Sequence, residues 1–123
     1  MKVLLSIKPQ FVEKIFAGTK KFEYRKVIFK RQDVTSVIIY CSSPVKLVVG
    51  EFEIKGILSE KKDCLWKNTG NASGISKDFY DSYFFNKQIA NAIEIGKIKK
   101  YKTPKKLMDY NIKYAPQSFC YVL

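Results

Sequence analysis

The chain of 123 residues contains no histidine. That absence removes Ser-His-Asp and Cys-His catalysis and the usual Cys/His zinc sites. The three cysteines, Cys41, Cys64 and Cys120, are odd in number and lack metal-ligand spacing. A reduced, cytoplasmic protein without a metal is therefore expected. No stretch approaches the roughly 20 apolar residues that a membrane span needs. The opening MKVLLSIKPQF lacks the long apolar core and cleavage site of a secretory leader. Acidic residues are scarce as well: 11 Asp+Glu stand against 23 Lys+Arg, a formal net charge of +12. Such a surplus favours a polyanionic partner, above all nucleic acid, and no segment joins a basic face to a broad apolar one as a membrane-surface helix would. Any chemistry must run on Lys, Glu, Asp, Tyr, Ser or Thr, and nothing in the residues calls for a cofactor.

What is present is enough for a core. A 46% hydrophobic content, with 15% aromatic, argues for a folded chain, and 123 residues suit a single domain spanning 1–123. KVLLSI at 2–7 reads as a buried strand. Pro9 suits the first position of a helix whose apolar face is Phe11, Val12, Ile15 and Phe16, and Gly18 suits its left-handed stop. Residues 20–26 follow as a second strand. TSVIIYC at 35–41 is β-branched and ends at the turn signal SSP, residues 42–44.

A long strand is expected over 45–58, with Gly50 and Gly56 as bends. Residues 59–76 read as an ordered polar loop holding Trp66. Ser76 caps a helix over 76–85, with Phe79, Tyr80, Tyr83 and Phe84 at helical spacing and Tyr80, Tyr83 and Phe84 read as core. A strand over 91–101, a short helix opened by Thr103 and Pro104, and a last strand through Phe119, Tyr121 and Leu123 complete the pattern. The expected fold is α+β: five to six strands, about three short helices, and a twisted sheet closing into a small barrel.

The stretch GTKKFEYRK, residues 18–26, carries the most information about chemistry. As a strand it sets Phe22 and Tyr24 against Lys21, Glu23 and Arg25, with Lys20 on the Phe22 side. The pattern Gly18, Lys20, Glu23, Arg25 resembles the G-x-K-x-x-E-x-R motif of the ASCH domain family, within the PUA-like superfamily. The likeness extends to the helix from Pro9, to YCSSPV at 40–45, to VVGEFEI at 48–54 and to PQSFCY at 116–121, in the family's order.

The resemblance implies a PUA-like β-barrel with a cleft beside the first helix, binding RNA or another nucleic acid and acting in RNA metabolism or transcription regulation. Superfamily relatives include readers of modified bases. Some small ASCH proteins deacetylate acetylcytidine nucleosides with a Lys in this motif, and others are described as ribonucleases. Acetylcytidine hydrolases carry Thr where this chain has Glu23, which counts against that reaction here.

Both readings stay open: a binder of RNA that holds a single base, modified or plain, or a small hydrolase with Lys20 and Glu23 as its catalytic pair. Lys20, if desolvated, becomes a usable base or nucleophile; kept charged, it grips a phosphate; it equally suits a snorkelling edge lysine. Glu23 and Arg25 share a strand face either as a phosphate-reading pair or as a structural ion pair. Trp66 suits base stacking or a barrel plug. Ser42 and Ser43 offer a turn's N–H groups to a phosphate, or only turn chemistry. Lys8 adds charge at a helix start, and Gln117 and Ser118, by the resemblance, lie where a base edge is read. The lysines at 97, 99, 100, 102, 105 and 106 form a solvated face or a rail for a backbone.

Overall fold

The computed structural model describes all 123 residues. In chain order the elements are β1 (Lys2–Ile7), α1 (Pro9–Ala17), β2 (Phe22–Arg25), β3 (Ser36–Cys41), β4 (Leu47–Lys61), α2 (Lys62–Thr69), α3 (Lys77–Tyr83), β5 (Ile89–Lys105) and β6 (Cys120–Val122). Single 3-10 turns occupy Gly70–Ala72 and Leu107–Tyr110. No helix is long and apolar enough to cross a membrane.

The strands form one six-stranded mixed sheet in the order β2-β5-β4-β3-β1-β6. β1 runs parallel to β3, and the other pairings are antiparallel. The expected strand number and α+β class hold, but the hydrogen-bonded ladder does not close: β2 and β6 remain its two edges. Side-chain bonds span the seam instead, as described below.

α1 forms as its sequence directs. Pro9 sits in its first turn, and Gly18 ends it at φ 82, where a side chain would be strained. Val12 and Ile15 bury against β1, β3 and the middle of the sheet, the main core. A second cluster gathers Tyr24, Leu65, Tyr80, Phe84, Ala90 and Ala92 beneath α2 and α3. A third, around Leu4, Ile38, Tyr40 and Val48, covers the opposite sheet face.

Two segments differ from the sequence-based expectation. The polar stretch 59–76 is the end of β4, the helix α2 and a 3-10 turn. Its helix has no side-chain cap and is held by tertiary packing of Leu65 and Trp66 on Tyr80 and its neighbours. Thr103 and Pro104 do not open a helix, because β5 continues to Lys105. β2 pairs with β5 only over Asn91–Glu94, so Pro104 lies where the strand has a ladder partner on one side alone, a place that tolerates a missing N–H.

Candidate functional site

A cavity of about 140 Å³ opens between the end of β1, the start of α1, β2 and α3. Its charged floor comes from Lys20, Glu23 and Arg25, and Lys8 stands at its rim. Phe11, Tyr24, Phe79 and Tyr83 give it aromatic walls.

The local chain path puts Lys20 there. After the left-handed turn at Gly18, the Lys20 amide donates to the Lys14 carbonyl (3.1 Å) and the Lys21 amide to the Ala72 carbonyl (2.7 Å). Lys20 therefore precedes β2 and escapes its alternation, so its stem turns inward and only 2% of the residue is exposed. Its Nζ donates to the Ser73 carbonyl at 2.8 Å and lies 3.8 Å from Glu23 Oε1. It also faces the rings of Phe11 (5.2 Å) and Tyr24 (5.5 Å). One of its three N–H groups thus has a close oxygen partner, and the rest meet aromatic faces and a more distant carboxylate. Burial lowers the Lys20 ammonium below its ordinary value; Glu23 pulls it back up and Lys14 pushes it down.

Arg25 is committed to the protein. Its guanidinium donates to Glu23 Oε2 (3.2 Å), to the Ser6 carbonyl (3.3 Å) and to the Ser118 carbonyl (2.7 Å). It fixes the Glu23 carboxylate from one side while Lys20 faces it from the other. Two basic groups and one acidic group are thereby gathered in a pocket that leaves each of them little exposed.

Tyr24 shows its ring to the cavity, but its hydroxyl points into the core. Thr69 Oγ1 gives its proton to the Leu65 carbonyl (2.6 Å), so the Tyr24 hydroxyl is the donor in the 2.6 Å bond to Thr69. Burial raises the Tyr24 and Tyr83 hydroxyls above their ordinary value. On α3, Ser76 Oγ accepts from the Phe79 amide and caps the helix. The Phe79 and Tyr83 rings lie nearly parallel, 13° apart, with centroids separated by 6.3 Å. Lys8 Nζ sits 5.8 Å from the centre of Phe79, and Lys26 Nζ 4.8 Å from that of Tyr83.

Of the residues singled out in the sequence, Lys8, Lys20, Glu23 and Arg25 meet at this cavity. Ser42 and Ser43 do not line it, although the Ser42 amide bonds the Ile7 carbonyl nearby. Ser118 contributes only its carbonyl, to Arg25, and Gln117 is exposed outside the cavity. Trp66 belongs to α2 and packs on Tyr80 with ring centroids 4.8 Å apart, away from the lining. Phe11, Phe79 and Tyr83 take the place expected of Trp66. Their helical spacing was visible in the sequence, but that spacing reads equally as core. No cluster of three or more His, Cys, Asp or Glu is present.

The sequence profile of the ASCH domain matches residues 5–99. The chain is 32% identical over 124 residues to the large ribosomal subunit protein uL22 of Ureaplasma parvum serovar 3, covering 98% of this chain and 39% of that protein. It is 29% identical over 91 residues to an ASCH domain-containing ribonuclease of Zymomonas mobilis, covering 74% of this chain and 62% of that protein. The chain thus spans less than two thirds of either relative. The crystal structure of ASCH from Zymomonas mobilis superposes with a TM-score of 0.89 at 25% identity, over 99% of this chain and 87% of that one.

Proposed function

The chain belongs to the ASCH domain family, and from that premise we propose that it binds single-stranded RNA and takes one unpaired base, plain or modified, into the cleft. The observation that carries this reading is the buried Lys20–Glu23 pair at the floor of an aromatic-walled cavity. At about 140 Å³ the space falls well short of the roughly 300–1,000 Å³ of drug-sized pockets, so it suits one planar ring rather than several residues of a chain. A base edge carries neighbouring donors and acceptors. The Lys20 ammonium supplies a donor and Glu23 Oε1 an acceptor to such an edge, while Phe79 and Tyr83 offer ring faces. A charged backbone outside the cleft fits the net charge of +12.

A second reading is RNA cleavage, favoured by the lowered Lys20 ammonium and by the ribonuclease named among the relatives. In it, neutral Lys20 takes the proton of a ribose 2′-hydroxyl, whose oxygen attacks the adjacent phosphorus. The 5′-oxygen leaves and is protonated through Glu23, giving a cyclic phosphate.

The test is an anisotropy titration of an RNA hairpin with a single bulged base against the same hairpin carrying an abasic bulge. The abasic RNA is expected to bind about tenfold more weakly, in line with the roughly 1–3 kcal/mol that stacking contributes per base. Equal affinity for both hairpins would remove the base from the cleft. Incubated RNA resolved on a denaturing gel decides the second reading: cleavage that vanishes in Lys20→Met supports it, and intact RNA ends it.

A further inference from the structure

Beyond Glu94, β5 leaves its β2 partner and runs on to Lys105, bonded to β4 on one side only. Past the bond from the Ile95 amide to the Lys21 carbonyl, no strand pairs with its outer edge. This free stretch carries Lys97, Lys99, Lys100, Lys102 and Lys105, with Lys106 next, and no acidic residue between Ile95 and Met108. All six lysines are exposed, and none forms an ion pair, although the molecule makes six such pairs elsewhere. So dense a run of one sign, offset only by Glu51 across the ladder from Lys99, repels itself and lowers stability.

The stretch is also joined to the cleft. Just before it in β5, Asn91–Glu94 are the ladder partners of β2, whose Glu23 and Arg25 form the cleft floor. Lys100 Nζ lies 5.5 Å from the centre of Phe16 on α1, the helix that gives Phe11 to the cleft wall. Those aromatics are five positions apart, about 7.5 Å along the helix axis and roughly 140° around it. From Ile98 to Lys105 the strand covers the four ladder steps from Phe52 to Val48, roughly 13 Å, because it bulges between Lys100 and Lys105.

We infer that the second half of β5 is a track for the phosphodiester backbone of single-stranded RNA, laid beside the cleft that receives a base. This rests on the RNA reading above. The lysines neutralise successive phosphates without reading sequence. The competing account is that the lysines only guard an open sheet edge against pairing with other chains.

The two accounts separate on salt dependence. Affinity for a labelled single-stranded RNA is measured across a potassium chloride series for the wild type and for Lys97→Gln/Lys99→Gln/Lys100→Gln/Lys102→Gln. A control variant, Lys30→Gln/Lys61→Gln/Lys67→Gln/Lys87→Gln, removes the same charge from exposed sites elsewhere. Each phosphate contact on a single strand contributes about 0.7 to the slope of log affinity against log salt. The β5 variant is expected to lose about 2–3 of that slope, the control less than about 1, and the β5 variant to melt no lower than the wild type. An unchanged slope, or an equal loss in the control, overturns the track. An RNA carrying an abasic residue tests the cleft independently: if it binds like intact RNA while the β5 variant still loses slope, the base reading falls and the track stands. No binding by the wild type overturns both.

Discussion

Arg25 on edge strand β2 donates to the carbonyl of Ser118, 2.7 Å away, at the entrance to the opposite edge strand β6. One guanidinium thus does across the seam what a sixth pair of strands would do in a closed barrel. The same group holds Glu23 and the Ser6 carbonyl, so seam and cleft share a single fastener.

Replacing that fastener should harm stability before it harms ligand contact. Arg25→Ala leaves Glu23, 7% exposed, facing only Lys20 at 3.8 Å, and strands the Ser118 carbonyl. A loss of about 3–5 kcal/mol is expected from urea unfolding, the usual cost of breaking a buried pair from one side. Arg25→Lys should recover only part, because one ammonium cannot reach three acceptors with the geometry of a planar fork. A shift below about 1 kcal/mol in Arg25→Ala would show the pair to be a surface-like contact.

The buried ammonium sets a pH dependence of stability. Lys20 is lowered from 10.5 in the folded chain, so between its folded value and 10.5 the unfolded chain holds a proton that the native one has shed. Stability then rises with pH across that window, and the cost of burying the charge is full below it and gone above it. The stability of the wild type relative to Lys20→Met should climb as pH moves from neutrality toward 10.5. A falling difference would mean that Glu23 outweighs burial and holds the proton on.

Gly74 holds the floor of the site in place. It adopts φ +72, and a Cβ there would stand 3.0 Å from the Cβ of Lys20. Gly74→Ala should cost about 1–2 kcal/mol for the left-handed backbone alone. It should also weaken RNA binding by displacing the Ser73 carbonyl from the Lys20 ammonium. Unaltered affinity in a destabilised variant would separate the Lys20 position from binding.

The aromatic assignment is checked by a pair of substitutions. Phe79→Ala, at the cleft wall, should weaken RNA binding by about 1–3 kcal/mol with little change in melting temperature. Trp66→Leu should do the reverse, since Trp66 packs on the buried Tyr80 and is not part of the lining. Equal binding losses in both variants would count against the cleft as the stacking surface.

Those two aromatics also show where sequence reading succeeds and where it stops. β1, α1 and β3 were legible because their signals are local: a β-branched run, Pro9 at a helix start, Gly18 at its end. α2 was not, because KDCLWKNT has no side-chain cap and its helix depends on Leu65 and Trp66 meeting residues far along the chain. The far end of β5 was misread since Thr103-Pro104 is a sound helix opening wherever no strand edge is waiting. In the site, strand alternation puts Lys20 and Glu23 on opposite faces, and they meet because Lys20 precedes β2 and turns inward. Phe11 and Phe79, ring centroids 5.3 Å apart, meet only through the packing of α1 and α3 on the sheet, a relation that helical spacing does not encode.

The short strand β6, Cys120–Val122, is the last to be made, yet it pairs with β1, the first. Its arrival covers the outer edge of β1, and the residues leading into it give Arg25 the Ser118 carbonyl and Ser6 the Pro116 carbonyl. During synthesis every residue of the cleft lining, from Ser6 to Tyr83, leaves the ribosome before those acceptors exist. A growing chain therefore carries all the lining residues in an unfastened form. Because the closing contacts join residues 93 and 110 positions apart, they come late, after the intervening loop has been ordered. Docking of β6 acts as a timer: the cleft stays unfinished until Pro116 and Ser118 have reached Ser6 and Arg25.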